Sequence, residues 1–346
     1  MERLILRYVE ATPGVPLLAV CGLSLVKRAV LTAGKAGVKQ VVLVLHPADE
    51  AAVRAELDDK RVTAPWTIEA TPDEAGATVM EGDRVFLKDA LTGHNPDAWR
   101  PVTGPAGIPA AEDLLIESLA KPADGFIARH LNRKLSGPIS RRLAPYKVHP
   151  NHVSAVVCLI GVLSYPLNAL GTWAGFALGG LCYYLSSVLD GVDGELSRLK
   201  YLGSPLGAWV DTIVDDVVGT AYLAGLYLGL YRQAGSTGMW HWVGITAIVL
   251  YFLTILPRYW LMITQVGVGD HQAIAAQRLE GEKGPIGKLV DFLASKVFRL
   301  DFLVFMAFVL SVIGQPGIYG AIFAIGAALS FGETVYTVAQ LRRTKA

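Results

Sequence analysis

The sequence predicts a soluble α/β region followed by an α-helical integral membrane domain of six transmembrane helices. Hydrophobic residues make up 52% of the 346 positions, and the mean hydropathy is +0.41, which is too apolar for an ordinary soluble chain. Charged residues are frequent before position 150, and long apolar stretches dominate the remainder. We therefore expect a soluble domain at 1–110, an amphipathic juxtamembrane segment at 111–150 and a membrane domain at 151–346.

Short apolar strands alternate with helices in the first 110 residues. This order predicts a mainly parallel α/β sheet with crossover helices. The expected strands are Leu4–Tyr8, Gln40–Leu45, Trp66–Ala70 and Arg84–Leu87, and the expected helices are Ser24–Ala36 and Ala48–Asp58.

Six apolar stretches after residue 150 approach the length of about 20 residues that a transmembrane helix requires. They are Val153–Leu170, Trp173–Leu189, Pro205–Tyr231, Trp240–Thr264, Asp301–Ile313 and Ile318–Ala339. Basic residues precede the first stretch, follow the second, lie between the fourth and fifth, and end the chain, whereas the opposite side has little beyond Arg232. The positive-inside rule then places both termini on the cytoplasmic face of a cell (inner or plasma) membrane.

The segment before the first stretch has an amphipathic pattern. Its apolar residues recur about every four positions, and arginines and lysine occupy the other positions. The pattern predicts a helix in the lipid headgroup layer, and a helix packed on the soluble domain is the alternative. The apolar positions are Phe126, Ile127, Leu131, Leu135, Ile139 and Leu143.

Four aspartates stand between two apolar stretches, where an ionised carboxylate is costly unless a cation or water accompanies it. Asp190 and Asp193 are three positions apart, and Asp211 and Asp215 are four apart, so each pair projects from one face of its helix. The segment Gly203-Ser204-Pro205 is typical of a break, in which glycine stops one helix and serine caps the next. Two antiparallel helices would bring all four carboxylates to one end.

Oxygen ligands in this number suit Mg²⁺ or Mn²⁺, and a pair of such ions can hold both oxygens of a phosphoryl displacement. Gly194 and Gly207 lack side chains, so a flat ligand could approach the backbone there. The alternative is a structural network in which Arg198 and Lys200 neutralise the acids. Four acids outnumber those two bases, which favours the metal site.

The full spacing, D-x2-D-G-x2-S-R-x8-G-x3-D-x3-D, resembles the CDP-alcohol phosphotransferase family of membrane enzymes, with Ser197 where that family usually has alanine. The resemblance implies that two ions hold the diphosphate of a CDP-alcohol, that Asp215 lies at the metal site and is the general base, and that the enzyme is a homodimer. The implied metal ligands are Asp190, Asp193, Asp211 and Asp215, and the implied nucleotide-binding residues are Asp190, Gly194, Ser197, Arg198 and Gly207.

The start of the first apolar stretch is also similar to this family. His149-Pro150-Asn151-His152-Val153-Ser154 resembles the family's Pro-Asn-x-Val/Ile-Ser/Thr segment, which implies that Asn151 lies near the nucleotide site. If the acceptor alcohol carries a phosphate, Arg258 is the candidate to bind it, because it lies inside the fourth stretch toward the cytoplasmic end. The alternative for Arg258 is a side chain that snorkels to the interface.

The N-terminal region resembles the sugar-nucleotidyltransferase fold from Val20 to Val42. The glycine-rich loop and following arginine that hold the triphosphate in such enzymes have no counterpart at Leu6–Pro16, and Asp83 is an isolated acid. We therefore expect a degenerate domain with a structural or regulatory function.

The order of the two regions resembles the bifunctional enzymes that couple an inositol-phosphate cytidylyltransferase to a di-myo-inositol phosphate phosphate synthase. The resemblance implies that CDP-inositol reacts with inositol phosphate and that CMP is released. The alternative is a phospholipid synthase that uses CDP-diacylglycerol and a polar alcohol such as inositol phosphate or glycerol phosphate.

Other classes of protein would use these features differently. A cation transporter predicts acids near the middle of the membrane and repeat symmetry, and a membrane-anchored binding module leaves the aspartates without a function. The net charge of +1 gives no sign of nucleic-acid binding. The sequence therefore favours a metal-dependent transferase.

Overall fold

The computed structural model describes residues 1–8, 12–120, 124–235, 238–266 and 299–343. It consists of two compact units. The first comprises Met1–Pro122, Gly137–Val148 and Gly194–Leu202, and the second comprises Ala123–Ser136, His149–Asp193 and Gly203–Ala346. The first unit thus includes the end of a helix whose earlier turns belong to the second.

The first unit contains a four-stranded parallel sheet. Its strands are β1 (Arg3–Arg7), β4 (Gln40–Val44), β5 (Trp66–Ile68) and β6 (Thr78–Glu81), in the order β5-β4-β1-β6. Leu4, Ile5 and Leu6 are fully buried, as expected of a parallel strand that is covered on both faces. The predicted parallel α/β sheet is confirmed.

The other elements of this region are short strands and helices around the sheet. Ser24 caps helix α1, because its side chain accepts a hydrogen bond from the Lys27 amide. The remaining elements are β2 (Ala19–Val20), β3 (Leu23–Ser24), α1 (Leu25–Lys35), α2 (Glu50–Leu57), β7 (Arg84–Phe86), α3 (Lys88–Thr92), β8 (Trp99–Pro101) and α4 (Ile108–Glu117).

One predicted strand lies in a different sheet from the one expected. β7 pairs antiparallel with β8, and β6, which the sequence did not predict, takes the position beside β1. The residues of β6 are exposed or half-buried, so this edge strand lacks the apolar run that marks a buried one. The chain bends between β6 and β7 at Gly82, where a Cβ atom would lie 2.3 Å from the Tyr8 ring.

Helices make up most of the described residues after position 124. A short π-helical segment (Ala128–Asn132) precedes them. They are α5 (Arg133–Leu143), α6 (Pro150–Val162), α7 (Ser164–Ala169), α8 (Trp173–Leu199), α9 (Pro205–Gln233), α10 (Met239–Leu261), α11 (Leu300–Val312) and α12 (Pro316–Arg343).

Among the described residues, three helical segments are long and apolar enough to cross a membrane, namely Pro150–Ala169, Pro205–Gln233 and Met239–Thr264. They correspond to the first, third and fourth predicted spans. In α8 glycine, serine and tyrosine dilute the apolar residues, and the apolar helices Leu300–Val312 and Pro316–Gly332 are shorter than 18 residues. Six spans are therefore not established, and the other three remain predictions.

The predicted amphipathic segment does not present one uniform apolar face. Phe126 is 73% exposed and Leu135 is 44% exposed, whereas Ile127 is buried. The π-helical turn and Pro138, which lies inside α5, interrupt the regular helical period on which the prediction depended.

Glycines allow the helices of the second unit to approach closely. A Cβ atom at Gly229 of α9 would lie 2.0 Å from the Asn168 carbonyl oxygen of α7. Tyrosine rings fill the interior between helices, and the rings of Tyr183 and Tyr222 stack at 4.3 Å. This packing holds α8 and α9 side by side along the segments that lead to the aspartates.

Candidate active site

The helix that carries the second aspartate pair begins where the sequence predicted. α9 starts at Pro205, and the Ser204 Oγ atom accepts a hydrogen bond from the Gly207 amide at 3.0 Å. The serine cap and the proline at the first helical position are confirmed. Asp211 therefore lies in the second turn of α9, and Asp215 one turn further.

The preceding helix ends differently from the prediction. α8 stops at Leu199, and Tyr201, not Gly203, adopts the left-handed conformation with φ of 56°. The Leu202 amide donates to the Ser197 carbonyl at 2.8 Å, and the Tyr201 amide donates to the Arg198 carbonyl at 3.3 Å. This is the Schellman arrangement, in which glycine usually takes the left-handed position.

Three of the four aspartates that were expected to converge do so between these helices. Asp190 and Asp193 on α8 and Asp211 on α9 each offer a carboxylate oxygen, and these oxygens lie within 4.8 Å of one another. Asp193 is buried, Asp190 is half-buried and Asp211 is exposed. The group is therefore accessible from one side and enclosed on the other.

The surroundings of these carboxylates fit a divalent cation. The Asp190 Oδ1 atom is buried and has no hydrogen-bond partner among the described residues, although such an atom is costly to bury unsatisfied. Three carboxylate oxygens at this separation match the ligand preference of Mg²⁺ and Mn²⁺. Asp190, Asp193 and Asp211 are the residues that would hold the ion.

Ser154 of α6 supports the buried ligand of this group. Its Oγ atom donates a hydrogen bond to the Asp193 Oδ2 atom at 2.5 Å, and the serine is itself 5% exposed. A donor behind a ligand carboxylate fixes the orientation of that carboxylate. The resemblance pattern includes Ser154 as its last position, so the sequence contained a signal for this contact.

We expect Ser154→Ala to weaken Mn²⁺ binding by about tenfold, because Asp193 loses its orienting donor. Titration of the purified full-length protein with Mn²⁺, followed by the electron paramagnetic resonance signal of the free ion, measures the dissociation constant. Ser154→Thr keeps the hydroxyl and should restore most of the affinity. Equal affinity in the wild type and the alanine variant would contradict the supporting role.

Asp215 is not one of the three aspartates whose carboxylate oxygens lie within 4.8 Å of one another. It lines a cavity together with the hydroxyl-bearing residues Tyr183, Ser186 and Ser187 and with apolar residues. This cavity belongs wholly to the second unit. A carboxylate among hydroxyl groups can accept a proton from a polar ligand.

The carboxylate after Asp215 has a different setting, which the sequence analysis missed. The Tyr259 hydroxyl donates to Asp216 Oδ2 at 2.7 Å, and the Tyr251 hydroxyl donates to Asp216 Oδ1 at 3.2 Å. Both tyrosines lie on α10, so Asp216 connects α9 to α10. A third acid inside the apolar stretch that forms α9 was the available signal, because such an acid requires partners.

The remaining predicted residues lie on these helices or at their ends. Asn151 is exposed in the first turn of α6, three residues before Ser154 and on the same side of that helix. A Cβ atom at Gly194 would lie 3.3 Å from the Arg198 Nη1 atom. Arg258 is half-buried on α10, beside Tyr259. Three converging carboxylates on two helices, with a fourth in a cavity of the same unit, fit a divalent cation and the chemistry of phosphoryl transfer.

Sequence comparison identifies the family. The CDP-alcohol phosphatidyltransferase family matches residues 147–331, which is more than half of the chain and includes every residue of the site described above. The protein belongs to the CDP-alcohol phosphatidyltransferase family.

Curated relatives of the chain have one name in common. The chain is 35% identical over 198 residues to the bifunctional IPC transferase and DIPP synthase of Thermococcus kodakarensis. That alignment covers 56% of this chain and 42% of the relative. It is 36% identical over 136 residues to the protein of that name from Aquifex aeolicus, covering 38% and 30% respectively. The chain thus spans at most about two fifths of these relatives in the aligned regions.

Proposed function

We propose that the protein transfers a substituted phosphate group from a CDP-alcohol to the hydroxyl of an acceptor alcohol and releases CMP. The observation that carries this proposal is the convergence of Asp190, Asp193 and Asp211 beside the cavity that contains Asp215. Family membership supports the same reaction. The relatives named DIPP synthase favour CDP-inositol as donor and inositol phosphate as acceptor.

In the proposed reaction, the acceptor oxygen forms a bond to the β-phosphorus of the donor, and the bond between that phosphorus and the CMP oxygen breaks. Asp215 accepts the proton of the attacking hydroxyl. Two divalent ions, Mg²⁺ or Mn²⁺, would neutralise the charge of the diphosphate and of the leaving CMP when bound. Asp190, Asp193, Asp211 and Asp215 are the proposed ligands of the two ions.

The chain's own residues would place both substrates. Asn151, Asp190, Gly194, Ser197, Arg198 and Gly207 are the proposed nucleotide-binding residues. The serine and tyrosine hydroxyls of the cavity would bind hydroxyls of the acceptor and hold one of them toward Asp215. Holding the reacting groups in the correct geometry lowers the activation barrier. Arg258 is proposed to bind the phosphate of the acceptor, since α10 already contacts α9 beside Asp215 through Tyr259 and Asp216.

The apolar helices support a multi-pass protein in the cell membrane with the aspartates on the cytoplasmic side, where nucleotide substrates and Mg²⁺ are present. Three further spans and a homodimer complete the proposed arrangement.

The degenerate α/β domain is proposed to have no catalytic function of its own. In its loop before β2, both carboxylate oxygens of Asp49 accept from the Gly14 amide, at 3.0 and 3.1 Å, and an acid in that place would repel a phosphate.

A substrate screen tests the proposal. Purified protein is incubated with Mg²⁺ and with either CDP-inositol or CDP-diacylglycerol, each combined with inositol phosphate, glycerol phosphate or free inositol, and CMP is quantified by chromatography. We expect CMP release to require both a donor and an acceptor, and to be fastest with CDP-inositol and inositol phosphate. Release with CDP-diacylglycerol only would instead identify a phospholipid synthase.

A further inference from the structure

The turn that ends α8, here called the α8 turn (Leu199–Leu202), is held by side chains of the α/β domain. All of these residues belong to the first compact unit. The Arg28 Nη1 atom donates to the Leu199 carbonyl at 3.1 Å, and the Arg61 Nη1 atom donates to the Lys200 carbonyl at 2.7 Å. Carbonyls at a helix C-terminus lack partners within the helix and carry partial negative charge. Two cationic side chains therefore cap the end of the helix.

The strained residue of the α8 turn is anchored as well. Tyr201 is left-handed with φ of 56°, a conformation that is unfavourable for a residue other than glycine. Its Oη atom lies 2.7 Å from Thr32 Oγ1, and Lys35 Nζ lies 4.6 Å from the centre of its ring. Because the Thr32 hydroxyl donates its hydrogen to the Arg28 carbonyl, the Tyr201 hydroxyl is the donor of the contact between them.

The two arginines are themselves held in position. Arg28 is 2% exposed, and its second terminal nitrogen donates to the Val20 carbonyl at 2.8 Å. Arg61 donates to both carboxylate oxygens of Asp59, with its Nη2 atom 2.7 Å from Oδ2. The Arg61 hydrogen bond lowers the pKa of Asp59 below its ordinary value, so this carboxylate stays ionised at neutral pH and keeps the guanidinium in place.

A buried guanidinium is costly unless its donors are satisfied. Both terminal nitrogens of Arg28 donate to carbonyls, one of which belongs to the α8 turn, about 170 residues away in the sequence. Strained backbone persists only where the surrounding structure holds it, and here the holding groups come from the α/β domain. Guanidinium groups of the α/β domain thus donate to the free carbonyls of the α8 turn, and those carbonyls give the guanidinium groups their acceptors.

We infer that the α/β domain acts as a positioning element for the aspartate helix, and the inference rests on the proposed function of that site. α8 is continuous from Trp173 to Leu199, and Asp193 lies about 9 Å along the axis before its end, at about 1.5 Å per residue. Fixing the α8 turn fixes the rotation of the last helical turns, and with it the direction in which Asp190 and Asp193 project. Arg28, Thr32 and Arg61 are therefore positioning residues.

Tyr201→Gly separates this function from ordinary helix capping. Glycine is the favoured residue at the left-handed position. If the α8 turn only ended the helix, the Tyr201→Gly protein would therefore keep its affinity for Mn²⁺ and become more stable. We expect the Mn²⁺ dissociation constant of the full-length variant to rise about threefold to tenfold, less than the tenfold to hundredfold loss for groups that contact a ligand directly. An unchanged dissociation constant overturns the inference.

A matched pair of arginine variants supplies the control. Arg61→Met removes the donor to the α8 turn, whereas Arg54→Met removes an arginine of the same domain that pairs with Glu50 on the surface of α2. We expect weaker Mn²⁺ binding in Arg61→Met only, and we expect the two variants to unfold at the same temperature. Thr32→Val and Tyr201→Phe should each weaken Mn²⁺ binding. The double variant should bind Mn²⁺ no more weakly than the single variant with the lower affinity. Equal effects of the two arginine variants, or additive effects of the other two, contradict the inference.

Mn²⁺ binding needs no turnover, so the two claims fail in different ways. If the wild type binds Mn²⁺ at the aspartates and the α8-turn variants bind it more weakly, the inference holds even when no donor releases CMP. If the wild type releases CMP and those variants bind Mn²⁺ normally, the proposed function stands and the positioning inference is wrong.

Discussion

Asp215→Asn is expected to reduce CMP release by about 10²–10⁴-fold, the usual contribution of a general base. The carboxamide has nearly the shape of the carboxylate, but it cannot accept the proton of the attacking hydroxyl. Asp215 lines the cavity with Ser186 and Tyr183, whereas the other three aspartates bring their carboxylate oxygens together without it. Mn²⁺ binding at the other aspartates, measured by paramagnetic resonance, should therefore survive the substitution.

The neighbouring carboxylate supplies the control for this prediction. Asp216→Asn makes the same chemical change one residue further along α9, and its side-chain oxygen can still accept a hydrogen bond from Tyr259 or Tyr251. We expect it to slow the reaction much less than the change at Asp215. If turnover survives in Asp215→Asn, or if both variants lose the same activity, Asp215 is not the base.

Asp190→Asn is expected to remove Mn²⁺ binding at the site and turnover together. Asp190 contributes one of the three converging oxygens, and its Oδ1 atom is buried without a partner among the described residues. A neutral amide offers a weaker ligand to a hard cation and adds N–H donors that point at the ion. The dissociation constant for Mn²⁺ should rise by at least about 100-fold, above the range seen for residues that only support a ligand.

A structural role for the aspartates predicts a different result. If Asp190 served only an ion-pair network, the asparagine variant would keep its metal affinity and lose stability instead. Thermal unfolding measured beside the Mn²⁺ titration distinguishes the two. A variant that binds Mn²⁺ like the wild type and unfolds at a lower temperature would contradict the metal site.

The sequence was sufficient to predict the central part of this site. Acids three and four positions apart lie on one helix face by geometry alone, and the serine and proline that start α9 are local signals, so the convergence of the aspartates followed. The wrong prediction was the end of α8 at Gly203. A left-handed tyrosine at position 201 depends on Thr32 and Lys35, and no local rule includes partners so distant in the sequence.

The sheet and the supporting contacts also divide into features with a local sequence signal and features that depend on tertiary packing. β1 and β4 are apolar runs that any periodicity analysis finds, whereas β6 is an edge strand of exposed and half-buried residues and was missed. Asp216 and its two tyrosine donors were missed for a similar reason, because hydrogen bonds between helices depend on how α9 and α10 pack. Local patterns therefore predicted which acids come together, and tertiary packing decides what holds them.

The fate of the β-phosphorus tests the central claim most directly. CDP-inositol carrying ³²P at the β-position is incubated with Mg²⁺, inositol phosphate and the full-length protein, and the products are separated. Attack at that phosphorus predicts that all of the label enters the new diester and that unlabelled CMP forms in equal amount, in the wild type and not in Asp190→Asn. Label released as free inositol phosphate, or diester formation that Asp190→Asn retains, would contradict transfer at this site.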